Sequence, residues 1–265
     1  MKNLTDFNSK IEFVLTDIDD TLTTEGQLPA KAYDSLWKLH DAGLKIIPIT
    51  GRPAGWCEMI ARFWPVEGVV GENGGFYFRH ATIQSEKIKK MQRWFFSDEK
   101  TIKQNKLKLA AIEKEILENI KGCALASDQF CRLMDLAIDF CEDVPPLNQN
   151  DVQKIVHIFK KHKAQVKVSS IHVNGWFGDY NKLSTTFQFL KNEYGLSQTE
   201  ALNKCIFVGD SPNDEPLFAK FPLSFGVANI KKFANQLQNL PTFVSKANGG
   251  DGFTEIADRI LAVNK

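Results

Sequence analysis

Short apolar runs alternate with amphipathic stretches near both ends of the chain. A strand is predicted over Ile11 to Asp17, followed by a helix over Pro29 to Ala42. A second strand is predicted over Leu44 to Thr50, and the run Cys205 to Gly209 predicts another buried strand near the C-terminus. Strands that alternate with helices are typical of a doubly wound, mainly parallel sheet.

The middle of the chain has a different pattern. The stretch from Phe76 to Ile83 predicts a hairpin, and Lys87 to Phe96 and Thr101 to Ile120 predict charged helices. Leu125 to Cys141 alternates as two antiparallel strands do, and Asn150 to Lys163 predicts another helix. Helices mixed with antiparallel strands indicate an α+β insert with a small core of its own.

The simplest architecture is therefore one core that an inserted domain interrupts. Residues 1–85 and 180–265 are expected to form an α/β core around the doubly wound sheet. Residues 86–179 are expected to form the smaller α+β domain.

Composition and charge exclude several classes of protein. Of 265 residues, 43% are hydrophobic and 25% charged, as in ordinary globular proteins. The net charge of +1 offers no general attraction for nucleic acid or anionic membranes, and no apolar stretch is long enough to span a bilayer. Met1 to Lys10 lacks the apolar core of a signal peptide, and the scattered cysteines include no Cys-x-x-Cys pair. We expect a cytoplasmic monomer or homodimer that binds neither nucleic acid nor membranes.

Three carboxylates, Asp17, Asp19 and Asp20, come at the end of the first predicted strand. Because like charges repel and desolvated carboxylates are costly, this acidic cluster predicts a nearby cation. A hard divalent metal is the simplest candidate. Asp17 and Asp19 are two positions apart, so an extended chain points both to one side. One carboxylate can then attack a substrate while the other transfers protons.

Further polar groups lie where predicted core elements begin or end: Thr50 to Arg52, Lys182, and Gly209 to Asp214. Ligands of open α/β sheets bind at the carboxyl ends of the strands. These groups are therefore expected to converge with the acidic cluster on one pocket.

The residue types of this pocket suit phosphoryl transfer. Mg²⁺ bound by Asp17 and Asp210 would neutralise the repulsion between a carboxylate nucleophile and a phosphate dianion. Lys182 would add a fixed positive charge, and the Thr50 hydroxyl and Gly51 amide would donate to phosphoryl oxygens. Attack by Asp17 would form an aspartyl-phosphate, with proton transfer by Asp19 to the leaving alcohol and then from water.

In order and in kind, these residues resemble the four motifs of the haloacid dehalogenase superfamily: Asp17-Ile18-Asp19-Asp20-Thr21-Leu22, Thr50-Gly51-Arg52, Lys182, and Gly209-Asp210-Ser211-Pro212-Asn213-Asp214. The insert lies between the second and third motifs. That placement resembles the type-two cap of the Cof-like and sucrose-phosphate or mannosyl-phosphoglycerate phosphatase branch. The resemblance implies a Rossmann-like core with an inserted α+β cap domain.

The resemblance also implies roles for individual residues. Asp17 would be the nucleophile and Asp19 the acid/base, with Mg²⁺ held by Asp17, the Asp19 main-chain carbonyl and Asp210. Asp214 would orient the metal shell, and Asn213 would lie near the transferred phosphoryl group. Asp20 departs from the pattern, because many relatives have glycine there.

Four candidate substrate-binding residues remain open at the level of sequence. Arg52 either contacts substrate or pairs with a core carboxylate. Asn73 belongs to a predicted hairpin turn and is a candidate for the pocket wall. In the insert, His172 and Trp176 can recognise substrate, with a satisfied strand histidine and a packing aromatic as the alternatives.

The predicted function is an Mg²⁺-dependent phosphatase of a small phosphorylated metabolite, with sugar phosphates favoured by the resemblance alone. A phosphosugar mutase is the nearer alternative, because it resembles this branch in motifs and cap placement. A non-enzymatic phospho-receiver domain also places acids, a threonine and a lysine around a parallel sheet. Such domains are much shorter and lack an insert.

Overall fold

The computed structural model describes residues 1–83, 85–169 and 171–265. The strands are β1 (Lys2–Asn3), β2 (Phe13–Thr16), β3 (Lys45–Pro48), β4 (Val69–Gly71), β5 (Phe76–Ile83), β6 (Ile88–Phe95), β7 (Ala124–Leu125), β8 (Asp135–Asp139), β9 (Gln165–Val168), β10 (His172–Trp176), β11 (Cys205–Gly209), β12 (Ser224–Gly226) and β13 (Phe243–Val244). The α-helices are α1 (Ala30–Asp41), α2 (Ala54–Phe63), α3 (Glu99–Asn119), α4 (Gln149–Lys161), α5 (Lys182–Tyr194), α6 (Gln198–Lys204), α7 (Glu215–Lys220) and α8 (Gly249–Asn264). None of the helices in these ranges is long and apolar enough to cross a membrane.

The core is a parallel sheet covered on both faces, as the alternating pattern predicts. Within the described ranges its strand order is β1-β13-β12-β11-β2-β3, with parallel pairing throughout. Val14 of β2 packs into an apolar cluster with residues of α1 and α8, and Leu15 packs into a second cluster with residues of α5. Burial on both faces explains why β2 and β11 are continuous apolar runs.

Pro48 lies in β3 without breaking the sheet. The Ile49 amide donates to Thr16 of β2, so the Pro48 nitrogen, one residue earlier, faces the opposite side. On that side, an isolated bridge pairs Ile49 with Val70. A proline is tolerated where the ladder needs no donor from it.

The predicted helix over Lys87 to Phe96 is wrong. This segment is β6, which pairs antiparallel with β5 from Phe76 opposite Phe95 to Ile83 opposite Ile88. The Tyr77 and Trp94 rings stack across the pair with centroids 5.2 Å apart. Cross-strand pairing outweighs the weak helical preference of a charged stretch.

The inserted segment has its own layers and its own core. Its antiparallel sheet has the order β7-β8-β10-β9, and residues of α3 and α4 pack with it in a separate apolar cluster. Glu86, the predicted start of the insert, lies in the turn between β5 and β6. The division at residues 86 and 179 stays a prediction.

Candidate active site

The sheet brings the polar groups of three adjacent strands to one edge. Asp17 follows β2, Asp210 follows β11 on one side of it, and Thr50 lies just beyond β3 on the other. All three strands are parallel, so their carboxyl ends point the same way. Lys182 begins α5, where the chain returns from the insert to the core.

A cavity of about 40 Å³ lies between this edge and the insert, which is room for only a few water molecules. Its core wall is formed by Asp17, Asp19, Gly51, Arg52, Asn73, Lys182, Asp210, Ser211 and Asn213. Its opposite wall is formed by Arg132, Lys167, Val168, Ser169, Ile171, His172 and Asn174. In this structure the insert therefore lies closed over the acidic cluster.

Lys182 joins two of the buried carboxylates. Its Nζ lies 3.0 Å from Asp17 Oδ1 and 3.0 Å from Asp214 Oδ1, and all three side chains are at most 7% exposed. Burial raises the pKa of Asp17 to about 7, while Lys182 opposes that shift. Burial acts to lower the pKa of Lys182, but the charges of Asp17 and Asp214 outweigh it and raise the pKa.

Asp17, Asp210 and Asp214 offer a set of ligands for a cation. Each can place a carboxylate oxygen within 4.8 Å of the others. Burial, together with the charges of Asp214 and Asp17, raises the pKa of Asp210 well above its ordinary value. Lys182 supplies one positive charge for three buried carboxylates, so a hard divalent ion fits both the donor type and the charge deficit.

Asp214 is braced on both sides. Oδ1 meets Lys182, and Oδ2 accepts the Asp210 amide at 3.2 Å. A Cβ on Gly209 would lie 2.5 Å from Asp214 Oδ2, so glycine is required for this close approach. The Thr21 hydroxyl donates to Asp210 Oδ1 at 3.3 Å.

The Asp19 carboxylate faces Arg52 instead of the other acids. Arg52 Nε donates to its two oxygens at 3.0 and 3.2 Å, and Nη2 donates to Oδ1 at 2.8 Å. Of the two alternatives that the sequence leaves open for Arg52, the structure has the carboxylate pair. Arg52 Nη1 also donates to Glu142 of the insert at 3.2 Å.

Thr50 and Gly51 form the turn beside Asp17. Thr50 is fully buried, and its hydroxyl oxygen accepts the Arg52 amide at 3.0 Å. Asn73 lines the cavity, and its main-chain amide donates to the Thr50 carbonyl at 3.1 Å. A Cβ on Gly51 would lie 3.3 Å from Asn73 Oδ1. Asn73 therefore lies in the turn and also lines the pocket. Its φ of 56° is one that asparagine tolerates.

The remaining candidates lie in different surroundings. Asn213 lines the cavity and accepts the Ser211 hydroxyl at 2.8 Å. His172 is 3% exposed and lines the cavity, with Nε2 2.9 Å from Glu142 Oε2. Trp176 is buried outside the residues that line this cavity and stacks on Tyr180 with centroids 5.7 Å apart.

Sequence reasoning missed Arg132, which is 4% exposed in the wall formed by the insert. Its Nη1 donates to the Gly51 carbonyl and to Asp135 Oδ1, each at 3.0 Å, and Nε donates to Asp128 at 3.0 Å. Acids three and four residues away were visible in the sequence. The contact with Gly51, 81 positions away, arises only in the folded chain.

The comparisons with known proteins agree with this fold. A family model of haloacid dehalogenase-like hydrolases matches residues 14–130. A Thermoplasma acidophilum protein has a TM-score of 0.70 at 20% identity, over 96% of this chain and 99% of its own. Sucrose-phosphatase from Synechocystis, solved with sucrose and phosphate, has a TM-score of 0.64 at 14% identity, over 95% and 98% of the two chains. A haloacid dehalogenase-like hydrolase from Bacteroides thetaiotaomicron has a TM-score of 0.63 at 14% identity, over 95% and 100%.

No curated protein matches the sequence. At identities of 20% and below, the structural likenesses show a shared fold over nearly the whole length of each chain. That fold, a parallel core with an inserted α+β segment, is the one that the motif order predicts. Residues 14–130 are therefore similar to the haloacid dehalogenase-like hydrolases, and the chain shares its fold with these solved structures over nearly its whole length.

Proposed function

We propose that this protein is an Mg²⁺-dependent phosphatase that hydrolyses a small phosphorylated metabolite through an aspartyl-phosphate on Asp17. The observation that carries the proposal is the buried set of Asp17, Asp210 and Asp214 around Lys182. Three acids and one lysine at the carboxyl edge of a parallel sheet suit a phosphate dianion only when a further cation is bound.

In the first step, an Asp17 carboxylate oxygen attacks phosphorus, and the bond from phosphorus to the leaving oxygen breaks. Lys182 holds Asp17 in place and keeps positive charge beside the developing phosphoryl charge. The Thr50 hydroxyl, whose oxygen already accepts the Arg52 amide, retains its own proton for donation to a phosphoryl oxygen. Asn213 extends the same polar wall.

Asp19 transfers the protons of both steps. Protonated, it gives its proton to the leaving alkoxide oxygen. As a carboxylate, it then takes a proton from the water that attacks phosphorus, so that the bond between Asp17 and phosphorus breaks and inorganic phosphate leaves. Arg52 Nε and Nη2 both donate to the Asp19 side chain and so fix its position for these proton transfers.

Asp17, Asp210 and the Asp19 main-chain carbonyl would hold Mg²⁺, with Asp214 orienting the site. A bound Mg²⁺ supplies Lewis-acid stabilisation of phosphoryl charge. Oxygen donors and the excess of buried negative charge both suit this ion.

A small substrate is supported by the position of the insert. Insert residues enclose the cavity on one side, and closure of the insert over a bound substrate favours a small molecule over a bulky phosphoprotein. A sugar phosphate is favoured because a structural neighbour is a sucrose-phosphatase solved with sucrose and phosphate.

The test is a screen of the purified protein with Mg²⁺ against phosphorylated metabolites, including sugar phosphates and sugar bisphosphates. We expect release of inorganic phosphate from at least one monoester, loss of activity with EDTA, and recovery on adding Mg²⁺. Activity that EDTA leaves unchanged would contradict the metal site. Activity that needs a sugar bisphosphate and releases no phosphate would mean that the enzyme is a mutase and not a phosphatase.

A further inference from the structure

A series of side-chain contacts connects the insert to Asp19. His172 Nε2 lies 2.9 Å from Glu142 Oε2, and Glu142 Oε1 accepts from Arg52 Nη1 at 3.2 Å. On the opposite edge of the guanidinium, Arg52 Nε and Nη2 donate to the Asp19 carboxylate. His172 and Glu142 belong to the insert, whereas Arg52 and Asp19 belong to the core.

Glu142 is held in a fixed turn just after β8. The amides of Cys141 and Glu142 donate to Asp139 Oδ1 at 2.9 and 2.8 Å, and the Asp143 amide donates to Oδ2 at 2.8 Å. The pKa of Glu142 lies below its ordinary value, chiefly because of the contact with His172 and further because of Arg52. A carboxylate in a rigid turn therefore faces the guanidinium.

The Nη1 atom of Arg52 points towards the insert. Its Cζ lies 4.4 Å from the centroid of the Trp56 ring, and Nε and Nη2 are directed at Asp19. At Nη1, Glu142 Oε1 is the near carboxylate at 3.2 Å, and Asp128 Oδ2 is farther away at 3.9 Å. Glu142 therefore fixes the edge of the guanidinium opposite Asp19.

We propose that Glu142 is a positioning residue for the hydrolysis: from the insert, it orients Arg52 so that Arg52 presents the Asp19 carboxyl group to the leaving oxygen. This inference rests on the proposed function. Glu142 touches no reacting group itself and acts through Arg52, and His172 Nε2 lies beside its other carboxylate oxygen. It follows that Asp19 reaches its working orientation only when the insert lies against the core.

Kinetics separate positioning from substrate binding. With a substrate found in the screen, Glu142→Ala is expected to lower kcat about tenfold to a hundredfold, because a misplacement of about 1 Å has effects of that size. KM should stay within about twofold. Glu142→Gln should retain more activity, since its amide oxygen can still accept from Arg52. Asp143→Asn is the matched control, because this exposed neighbour contributes its main-chain amide to the turn, and its kinetics should equal those of the wild type.

Two kinetic results would overturn the proposal. A raised KM with unchanged kcat in Glu142→Ala would mean that Glu142 serves substrate binding. Wild-type kcat and KM in that variant would mean that Arg52 needs no partner in the insert.

A measurement without substrate keeps this inference distinct from the proposed function. The Arg52 Nε–H signal in ¹⁵N-edited NMR, assigned by its absence in Arg52→Lys, is expected to exchange slowly with water in the wild type. In Glu142→Ala we expect it to broaden or vanish, while Asp143→Asn keeps it. An unchanged signal in Glu142→Ala would overturn the link. A protein inactive on every monoester would instead refute the proposed function and leave this comparison valid.

Discussion

Burial and the charge of Lys182 have opposite effects on Asp17. Burial favours its neutral form and raises its pKa to about 7, while Lys182, at 3.0 Å, favours the carboxylate. A nucleophile must be deprotonated and must also face an electrophile that carries negative charge. In the proposed mechanism, Lys182 and Mg²⁺ would serve both requirements, because each would stabilise the carboxylate and attract the phosphate.

We expect Asp17→Asn to lower phosphate release by more than about 1,000-fold, because the variant keeps the shape of the side chain and loses the nucleophile. Circular dichroism should show an unchanged fold. Asp41→Asn, a change in an exposed carboxylate at the end of α1, is the control and should keep wild-type activity. Turnover by Asp17→Asn close to that of the wild type, in a preparation free of other phosphatases, would refute the role of Asp17.

At the scale of elements, the connection between β4 and β5 anchors the insert. Glu72 in this connection is fully buried and accepts the amides of Ala54 at the start of α2 and of Leu133, Met134 and Asp135 in the insert. Arg132 adds its bond to the Gly51 carbonyl beside this anchor. The segment that leads into β8 is thus tied to the core near Asp17.

Glu72→Gln should destabilise the protein by about 2 kcal/mol, because the amide nitrogen cannot accept and leaves buried N–H groups without a partner. Urea denaturation measures the change. Glu12→Gln removes an exposed ion pair with Lys204 and should change stability by less than about 0.5 kcal/mol. Equal stability of the wild type and Glu72→Gln would contradict the anchor.

Packing within the insert depends on a glycine that leaves room for an aromatic ring. A Cβ on Gly175 of β10 would lie 2.0 Å from the Phe159 ring of α4. Gly175→Ala should therefore cost about 1–3 kcal/mol by overpacking, as measured in urea. In a Phe159→Leu background the same change should cost less, since the smaller side chain leaves room. An equal loss of stability in both backgrounds would mean that the strain does not come from the Phe159 ring.

At the scale of the whole molecule, the two parts enclose a cluster of buried core carboxylates between them. The core supplies Asp17, Asp210 and Asp214, and the insert closes over them. Without a metal, burial opposes the ionisation of Asp17 and Asp210. Stability should therefore depend on both pH and Mg²⁺.

The direction of this dependence follows from Asp17. Its pKa is about 7 in the folded protein against 3.8 for an ordinary aspartate, so between these values the folded state binds more protons than the unfolded state. Metal-free stability should then fall as pH rises through that window. Protons and Mg²⁺ compete for the same oxygens, so the rise in Tm on adding Mg²⁺ should be larger at pH 8 than at pH 5. A rise equal at both values, measured by calorimetry, would contradict a metal site at these carboxylates.

How far the sequence predicts an element depends on whether its determinants are local. β11 has the predicted bounds, since one apolar run defines the element. The hydrophobic pattern did not predict α6, although Ser197 and Glu200 form a capping box at its start. It assigned β6 to a helix because the partner that makes it a strand, β5, is recognised only once the two have paired.

The sequence by itself determined the order of the motifs, the alternation of strands and helices, and the presence of acids, a threonine and a lysine at the ends of core elements. These follow from local composition and spacing, and the parallel sheet brings such ends together by geometry alone. Only the tertiary structure decided that Arg52 pairs with Asp19, that Arg132 reaches Gly51, and that Glu142 meets Arg52 across 90 positions. Those contacts join the insert to the core, and their formation depends on how two separately packed layers meet, which no local pattern specifies.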